Sequence, residues 1–138
     1  MGADAIEKTK ALIEQIMAGD LATVEGSQPR VRPIAMKWVG ERELWFATGT
    51  GSRKTAQLKS NPAVEVCFSD AEWNHARLSG RATMTQDDGD RQKLFGMIKE
   101  LAQHFSGPTD PNYTLVKIAI ARIEYMPMGT HEYELHEF

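Results

Sequence analysis

The sequence predicts an antiparallel β-barrel with a few helices packed on it, and three observations carry that reading. Six or seven segments read as strands, most of them joined by short turns. Helical segments fall at the start, in the middle and late in the chain. Regular strand–helix alternation is missing, which argues against a doubly wound parallel sheet. The bulk agrees: 138 residues, 41% apolar and 25% charged, suit one domain spanning 1–138 with a real core.

Taken in order, Asp4 and Glu7 read as a capping box, and Ile6, Ile13, Ile16 and Met17 form an apolar stripe. Together they predict an N-terminal helix of about four turns closing near Gly19. "LATVE" (21–25) is a short strand, "SQPR" a turn, and "VRPIAMKWV" (31–39) a second strand whose Pro33 suits an edge. "ELWFAT" (43–48) is the next strand, and "SRKTAQLKSNP" a short helix stopped by Asn61 and Pro62. "AVEVCFS" (63–69) alternates. "HARLSGRATMT" (75–85) alternates most clearly, with His75, Arg77, Ser79, Arg81, Thr83 and Thr85 on one face. An acidic turn leads to a helix over 90–105 with Leu94, Met97, Ile98, Leu101 and Phe105 inward. A long strand (113–126), apolar on both sides, follows, and "HEYEL" extends the sheet.

Composition excludes several functions. A net charge of -3 argues against a general nucleic-acid surface, so any anion site must be a local concentration of cations. The single cysteine, Cys67, allows no intramolecular disulfide and reads as a small core residue. No apolar stretch is long enough to span a bilayer and the N-terminal residues carry no apolar leader pattern, so a cytoplasmic protein without membrane partners is expected. His131 and His136 stand in "HEYELH", one residue too far apart for a zincin pair and on opposite faces of a strand. No metal site is expected.

"FATGTGSRKT" (46–55) carries the chemistry. Ser52 is a good N-cap, which puts Arg53, Lys54 and Thr55 at the first three helical positions, where backbone N–H groups lack intrahelical acceptors. Two cations there oppose the helix dipole by roughly 0.3–1 kcal/mol, and a bound phosphate would offset that cost. The residues alone leave a second reading open, in which both cations point into water. A Walker loop needs glycine directly before the lysine, and a Rossmann fingerprint needs a third glycine where Lys54 stands; neither motif is present.

The run "RPIAMKW … ELWFATGTGSRKTAQLKSNPAVEVCF … HARLSGRATM" resembles the pyridoxamine 5'-phosphate oxidase-like family of FMN-binding split β-barrels, in particular its general-stress-protein branch. The resemblance runs from about residue 20 to residue 126. Its sharpest part is the string strand–Thr–x–x–x–Ser–Arg–Lys–x–x–Gln, followed by Pro62. It implies a split β-barrel of Greek-key type and FMN as cofactor. It also implies a homodimer with a flavin at the subunit interface, and redox chemistry on a small molecule.

By that resemblance Arg32 through Lys37, including Pro33 and Ile34, line the flavin, with Arg32 toward the phosphate and Lys37 toward the ring. Ala47 and Thr48 add backbone or hydroxyl contacts, and Ser52, Arg53 and Lys54 hold the phosphate, with Gly49 and Gly51 allowing close approach. His75 stands where the family often places a glutamine reaching across the dimer. The family's pyridoxine-phosphate oxidases carry Arg–Leu–His–x–Arg near the C-terminus; "EYMPMGTHEYELHEF" has no counterpart, so oxidation of vitamin B6 itself is not expected. A flavin-binding stress protein without turnover, a related barrel using deazaflavin or heme, and a domain with no cofactor are the alternatives. Trp38 and Trp45 read as core or dimer contacts, and Trp73 as the rim of a pocket.

Overall fold

The computed structural model describes residues 2–138, with side chains from residue 4 onward. In chain order the elements are α1 (Gly2–Ile16), β1 (Ala18–Glu25), β2 (Gln28–Ala35), β3 (Lys37–Val39) and β4 (Glu43–Gly49). They continue as α2 (Arg53–Ser60), β5 (Ala63–Ser69), β6 (His75–Thr85) and α3 (Asp88–Met97). A 3-10 turn (Lys99–Gln103), β7 (Tyr113–Met126) and β8 (Glu134–Glu137) complete the chain.

The strands form one antiparallel sheet in the order β2-β1-β5-β6-β7-β4-β3, with β8 added alongside β7. The outermost strands, β2 and β3, are consecutive in the chain and separated only by Met36. A sheet whose two edges are joined by one residue has to curl round on itself. Those edges do not pair with each other, so the barrel is split rather than closed.

Met36 explains why one expected strand is two. Its side chain is buried and its N–H donates to the Met17 carbonyl at 2.9 Å, turning the chain inward. Pro33 sits in β2, an edge strand, where a missing N–H is tolerated. The first turn is shorter than expected: β2 already begins at Gln28, so Pro29 and Arg30 are strand residues, and Arg30 faces Thr23 across the hairpin.

The N-terminal helix begins at Gly2, which places Asp4 inside its first turn rather than at its cap. It ends at Ile16, short of the close expected near Gly19, and Met17 takes a left-handed conformation (φ 67). Gly19 instead belongs to β1, where an added Cβ would lie 2.6 Å from Val66 Cγ1. The late helix starts two residues earlier than expected, because Asp87 caps it by accepting from the Asp90 N–H at 2.9 Å. It stops at Met97, with Ile98 extended, and Met97 is exposed rather than inward.

Two apolar clusters use opposite faces of β4 and β7. Inside the barrel Leu44, Phe46, Val116, Ile118 and Ile120 pack with Val66, Phe68, Leu78 and, from α1, Ala5, Leu12 and Ile13. On the outer face Trp45, Tyr113 and Leu115 pack under Leu94, Ile98 and Leu101 from α3 and the 3-10 turn. This is why β7 is apolar on both sides.

β6 and β7 shift register between Ser79 and Gly80, and there the strands touch backbone to backbone. A Cβ at Gly80 would lie 2.1 Å from the Ala119 carbonyl oxygen. Gly80→Ala is therefore expected to lower unfolding stability in urea by about 1–3 kcal/mol. Gly96→Ala in α3, where a Cβ meets nothing within 4 Å, is expected to raise it by about 0.5–1 kcal/mol. A Gly80→Ala protein as stable as the parent would show that the bulge has room to spare.

Candidate functional site

The hairpin β1–β2 and the start of α2 enclose a cleft of about 270 Å³ lined by Arg30, Val31, Arg32, Arg53, Lys54 and Gln57. Four of these six residues are cations. Among the described residues, one carboxylate answers them: Glu25 pairs with Arg30 at 3.0 Å and with Arg53 at 3.1 Å. The Arg30 hydrogen bond, helped by the Arg53 charge, holds the Glu25 carboxyl below the usual carboxylate range.

Arg32 is the best-fixed member. Its Nη1 donates to the Thr23 hydroxyl at 2.7 Å and the Leu21 carbonyl at 3.3 Å, and its Nη2 donates to Gln57 Oε1 at 2.8 Å. Burial, followed by the charges of Arg53 and Arg30, pulls its pKa down from the ordinary arginine value. Lys54 is half-buried beside it and, among the described residues, has no acidic partner. Burial first, and then the Arg32 charge, lower its pKa. Like charges are thus held together out of full solvent with too little negative charge to balance them.

Local sequence explains the placement. Ser52 is the N-cap of α2, its hydroxyl accepting from the Thr55 N–H at 3.3 Å. Thr48 reaches the Ser52 hydroxyl at 2.9 Å, and Thr55 donates to the Gly49 carbonyl at 3.0 Å. These hydroxyls staple the loop. Arg53 and Lys54, the first two helical residues, therefore present their N–H groups at a fixed corner, where helix geometry supplies no acceptor.

Of the residues expected at the site, Arg32, Arg53 and Lys54 meet in this cleft, and Ser52 caps the helix beneath it. Pro33 and Ile34 lie next to Arg32 along β2, exposed and half-buried respectively. Thr48 is buried in the staple, and Ala47 packs on the outer apolar cluster. Lys37 lines a separate cleft of about 380 Å³ with Lys10, Ile13, Glu14, Trp38 and Met97. His75 lies at the far end of β6, its Nε2 bonded to the Tyr133 hydroxyl at 2.9 Å. Neither Gly49 nor Gly51 needs its missing side chain for the fold: a Cβ would meet nothing nearer than Asn112, at 3.8 Å from Gly49.

Trp45 is core, Trp38 is half-buried with its Nε1 donating to the Gly40 carbonyl at 2.9 Å, and Trp73 stands 77% exposed. Cys67 is half-buried, and burial raises its thiol pKa, opposite to a reactive thiolate. A wider cleft, about 630 Å³, follows the single stretch Thr130–Leu135 and carries Glu132 and Glu134, the wrong sign for an anion. Among the described residues no group of acids, histidines and cysteine could hold a metal, and no helix is long and apolar enough to cross a membrane.

Three residues at or beside the cleft, Thr23, Glu25 and Arg30, were not evident from sequence, and Gln57 stood in the motif string without an assigned role. The usable signal was hairpin register, which sets Thr23 opposite Arg30, together with Gln57 three positions after Lys54, one helical turn away.

Comparison with known proteins bears on the family and the fold. The family described as pyridoxamine 5'-phosphate oxidase matches residues 5–127. A pyridoxine/pyridoxamine 5'-phosphate oxidase of Prochlorococcus marinus (strain MIT 9303) is 29% identical over an alignment of 76 residues that covers 49% of this chain and 34% of that protein. The chain thus spans about a third of that relative's length. The crystal structure of General Stress Protein 26 from Bacillus anthracis str. Sterne superposes with a TM-score of 0.83 at 25% identity, covering 96% of this chain and 97% of that one. A pyridoxamine 5'-phosphate oxidase-related, FMN binding protein from Nostoc punctiforme PCC 73102 does so with 0.73 at 17% identity, covering 96% and 86%.

An unbalanced cation cluster should be stabilised by anions. At equal ionic strength, phosphate is expected to raise the melting temperature above its value in chloride, and Lys54→Met to remove most of that rise. The sign of the pH effect follows from the lowered Lys54 pKa, since the unfolded chain binds the extra proton. The penalty is complete below the folded pKa and fades as pH climbs toward the ordinary lysine value. In chloride, Lys54→Met should therefore gain on the parent at neutral pH and lose that gain in alkali. Identical melting of the two proteins in both salts would mean that the charge is already balanced.

Proposed function

The chain belongs to the pyridoxamine 5'-phosphate oxidase family, and from that premise we propose that it binds FMN and acts as an oxidoreductase. Its substrate is a small molecule other than pyridoxine phosphate. The observation that carries the reading is Lys54, half-buried against Arg32 at a helix start with no counter-charge among the described residues. A phosphomonoester supplies the missing negative charge and accepts from the N–H groups that the α2 terminus leaves open.

In this reading Arg32 and Lys54 bind phosphate oxygens, and Arg53 exchanges its pairing with Glu25 for the ligand. A cleft of about 270 Å³ falls below the range of about 300–1,000 Å³ for whole small-molecule sites. It would suit the phosphate and the start of its polyol, and Pro33 and Ile34 of β2 would help to hold the rest of the flavin. Lys37, which follows Met36 and lines the separate cleft, would put positive charge near the ring's polar edge. Bound FMN supplies the electron chemistry; the chain orients it, shields it and sets the charge around it. The remaining wall comes from a second copy of the chain, so the working unit is a homodimer. His75, distant from this cleft in its own subunit, then faces the flavin of the other.

The first test is the visible spectrum of the purified protein, before and after added FMN, followed by assays with NAD(P)H and small organic acceptors. A yellow protein reduced by one of these donors is expected. Yellow colour without turnover leaves a flavin carrier. A Soret band or a violet maximum moves the cofactor to heme or deazaflavin, and colourless protein that refuses FMN removes the proposal. Lys54→Ala is expected to weaken FMN binding by about 1.5–3 kcal/mol. Arg53→Ala should cost less, because Arg53 leaves Glu25 to bind, and exposed Arg81→Ala should cost nothing measurable.

A further inference from the structure

Beneath the cleft lies a closed ring of three polar side chains. Arg32 Nη1 donates to the Thr23 hydroxyl at 2.7 Å, Thr23 donates to Gln57 Oε1 at 2.5 Å, and Arg32 Nη2 donates to the same Oε1 at 2.8 Å. The donor directions are forced. A guanidinium only donates, so the Thr23 oxygen accepts from it and the hydroxyl hydrogen must go to Gln57. The Gln57 oxygen, not its NH2, therefore faces both partners. Thr23 and Gln57 are 1% and 4% exposed. Polar side chains this deeply buried in a small barrel have a task that apolar ones could not perform.

Every acceptor that Arg32 uses is neutral: a carbonyl, a hydroxyl and an amide oxygen. A glutamate at position 57 would make the same hydrogen bonds, each of them stronger through its charge. It would also cancel the positive charge of Arg32. We propose that Gln57 is the positioning residue of the anion cleft, fixing the Arg32 guanidinium through Thr23 and its own amide oxygen while leaving the arginine's charge available to the ligand. Three of the five guanidinium N–H donors are engaged by the protein, and two remain for an oxyanion. Gln57 thereby acts on the ligand through Arg32. The identification of that ligand as FMN rests on the function proposed above.

Two variants separate charge retention from structural support. Gln57→Glu keeps the acceptor and adds a negative charge; Gln57→Met keeps the shape and removes the acceptor. If Gln57 only supports the fold, Glu should be the milder change in every measurement. If it preserves the charge of Arg32, the two orders oppose each other. Thermal stability should then run Glu at or above parent, with Met below. FMN affinity should run parent above Met above Glu, with Glu weaker than parent by about tenfold to a hundredfold. Riboflavin, which lacks the phosphate, should bind parent and Gln57→Glu alike.

The measurements are fluorescence titrations with FMN and riboflavin, and an NMR titration with inorganic phosphate read at the amides of Arg53, Lys54 and Thr55. Parent-like affinity of Gln57→Glu for FMN and for phosphate overturns the proposal. If the parent binds phosphate but not FMN, the flavin reading fails; loss of phosphate binding in Gln57→Glu then still supports the role of Gln57. A parent that binds neither probe overturns both.

Discussion

Like charges packed beside one another without a matching counter-ion are the constraint on which the rest of this molecule depends. Arg30, Arg32, Arg53 and Lys54 share one small cleft, and Glu25 offsets only part of their charge. Repulsion of this kind persists in a folded protein only where the surrounding structure fixes the groups more tightly than repulsion separates them. Here the fixing comes from three elements at once: β1 through Thr23, β2 through Arg32 and α2 through Gln57. Arg32 is thus held in place by protein groups alone.

The barrel explains how such a corner is held. Because β2 and β3 are opposite edges of one sheet separated by a single buried methionine, the β1–β2 hairpin is anchored at one end by Met36 and free to face α2 at the other. α2 follows β4 after a loop stapled by Thr48, Ser52 and Thr55, so its first turn has little freedom to drift. The outer cluster of α3 holds the opposite side of β4 and β7, keeping the frame rigid at a distance from the cleft. Glu25 offsets part of the cluster's charge, pairing with Arg30 and Arg53 on the exposed side.

Much of this was legible from the residues alone, and the exceptions have physical causes. β5, β6 and β7 begin and end where alternation and turn residues predict, and Ser52 caps α2 as its chemistry requires. The division of 31–39 at Met36 was hidden, because a buried methionine continues an apolar pattern whether or not the backbone bends. The break at Ile98 was hidden for the same reason: Leu94, Ile98 and Leu101 are buried on one side although the helix ends between them. At the site, Arg53 and Lys54 stood out because two cations at a helix start are costly. Thr23 did not, and Gln57 stood in the motif string without a role, since a polar residue on an amphipathic segment reads as solvent-facing until the tertiary structure buries it. Arg30 and Glu25 were brought in by the hairpin register, which periodicity within either strand does not encode.

If the cleft is built to hold a dianion, its effect should be visible on the phosphorus atom itself. The second ionisation of a free phosphomonoester lies at about pH 6. A 31P NMR titration of FMN held at saturating protein should find the bound phosphate still doubly ionised well below that pH, with the free nucleotide as the internal standard. A bound phosphate that takes up its proton at the same pH as free FMN would show that Arg32, Arg53 and Lys54 do not hold it, and would contradict the account at its centre.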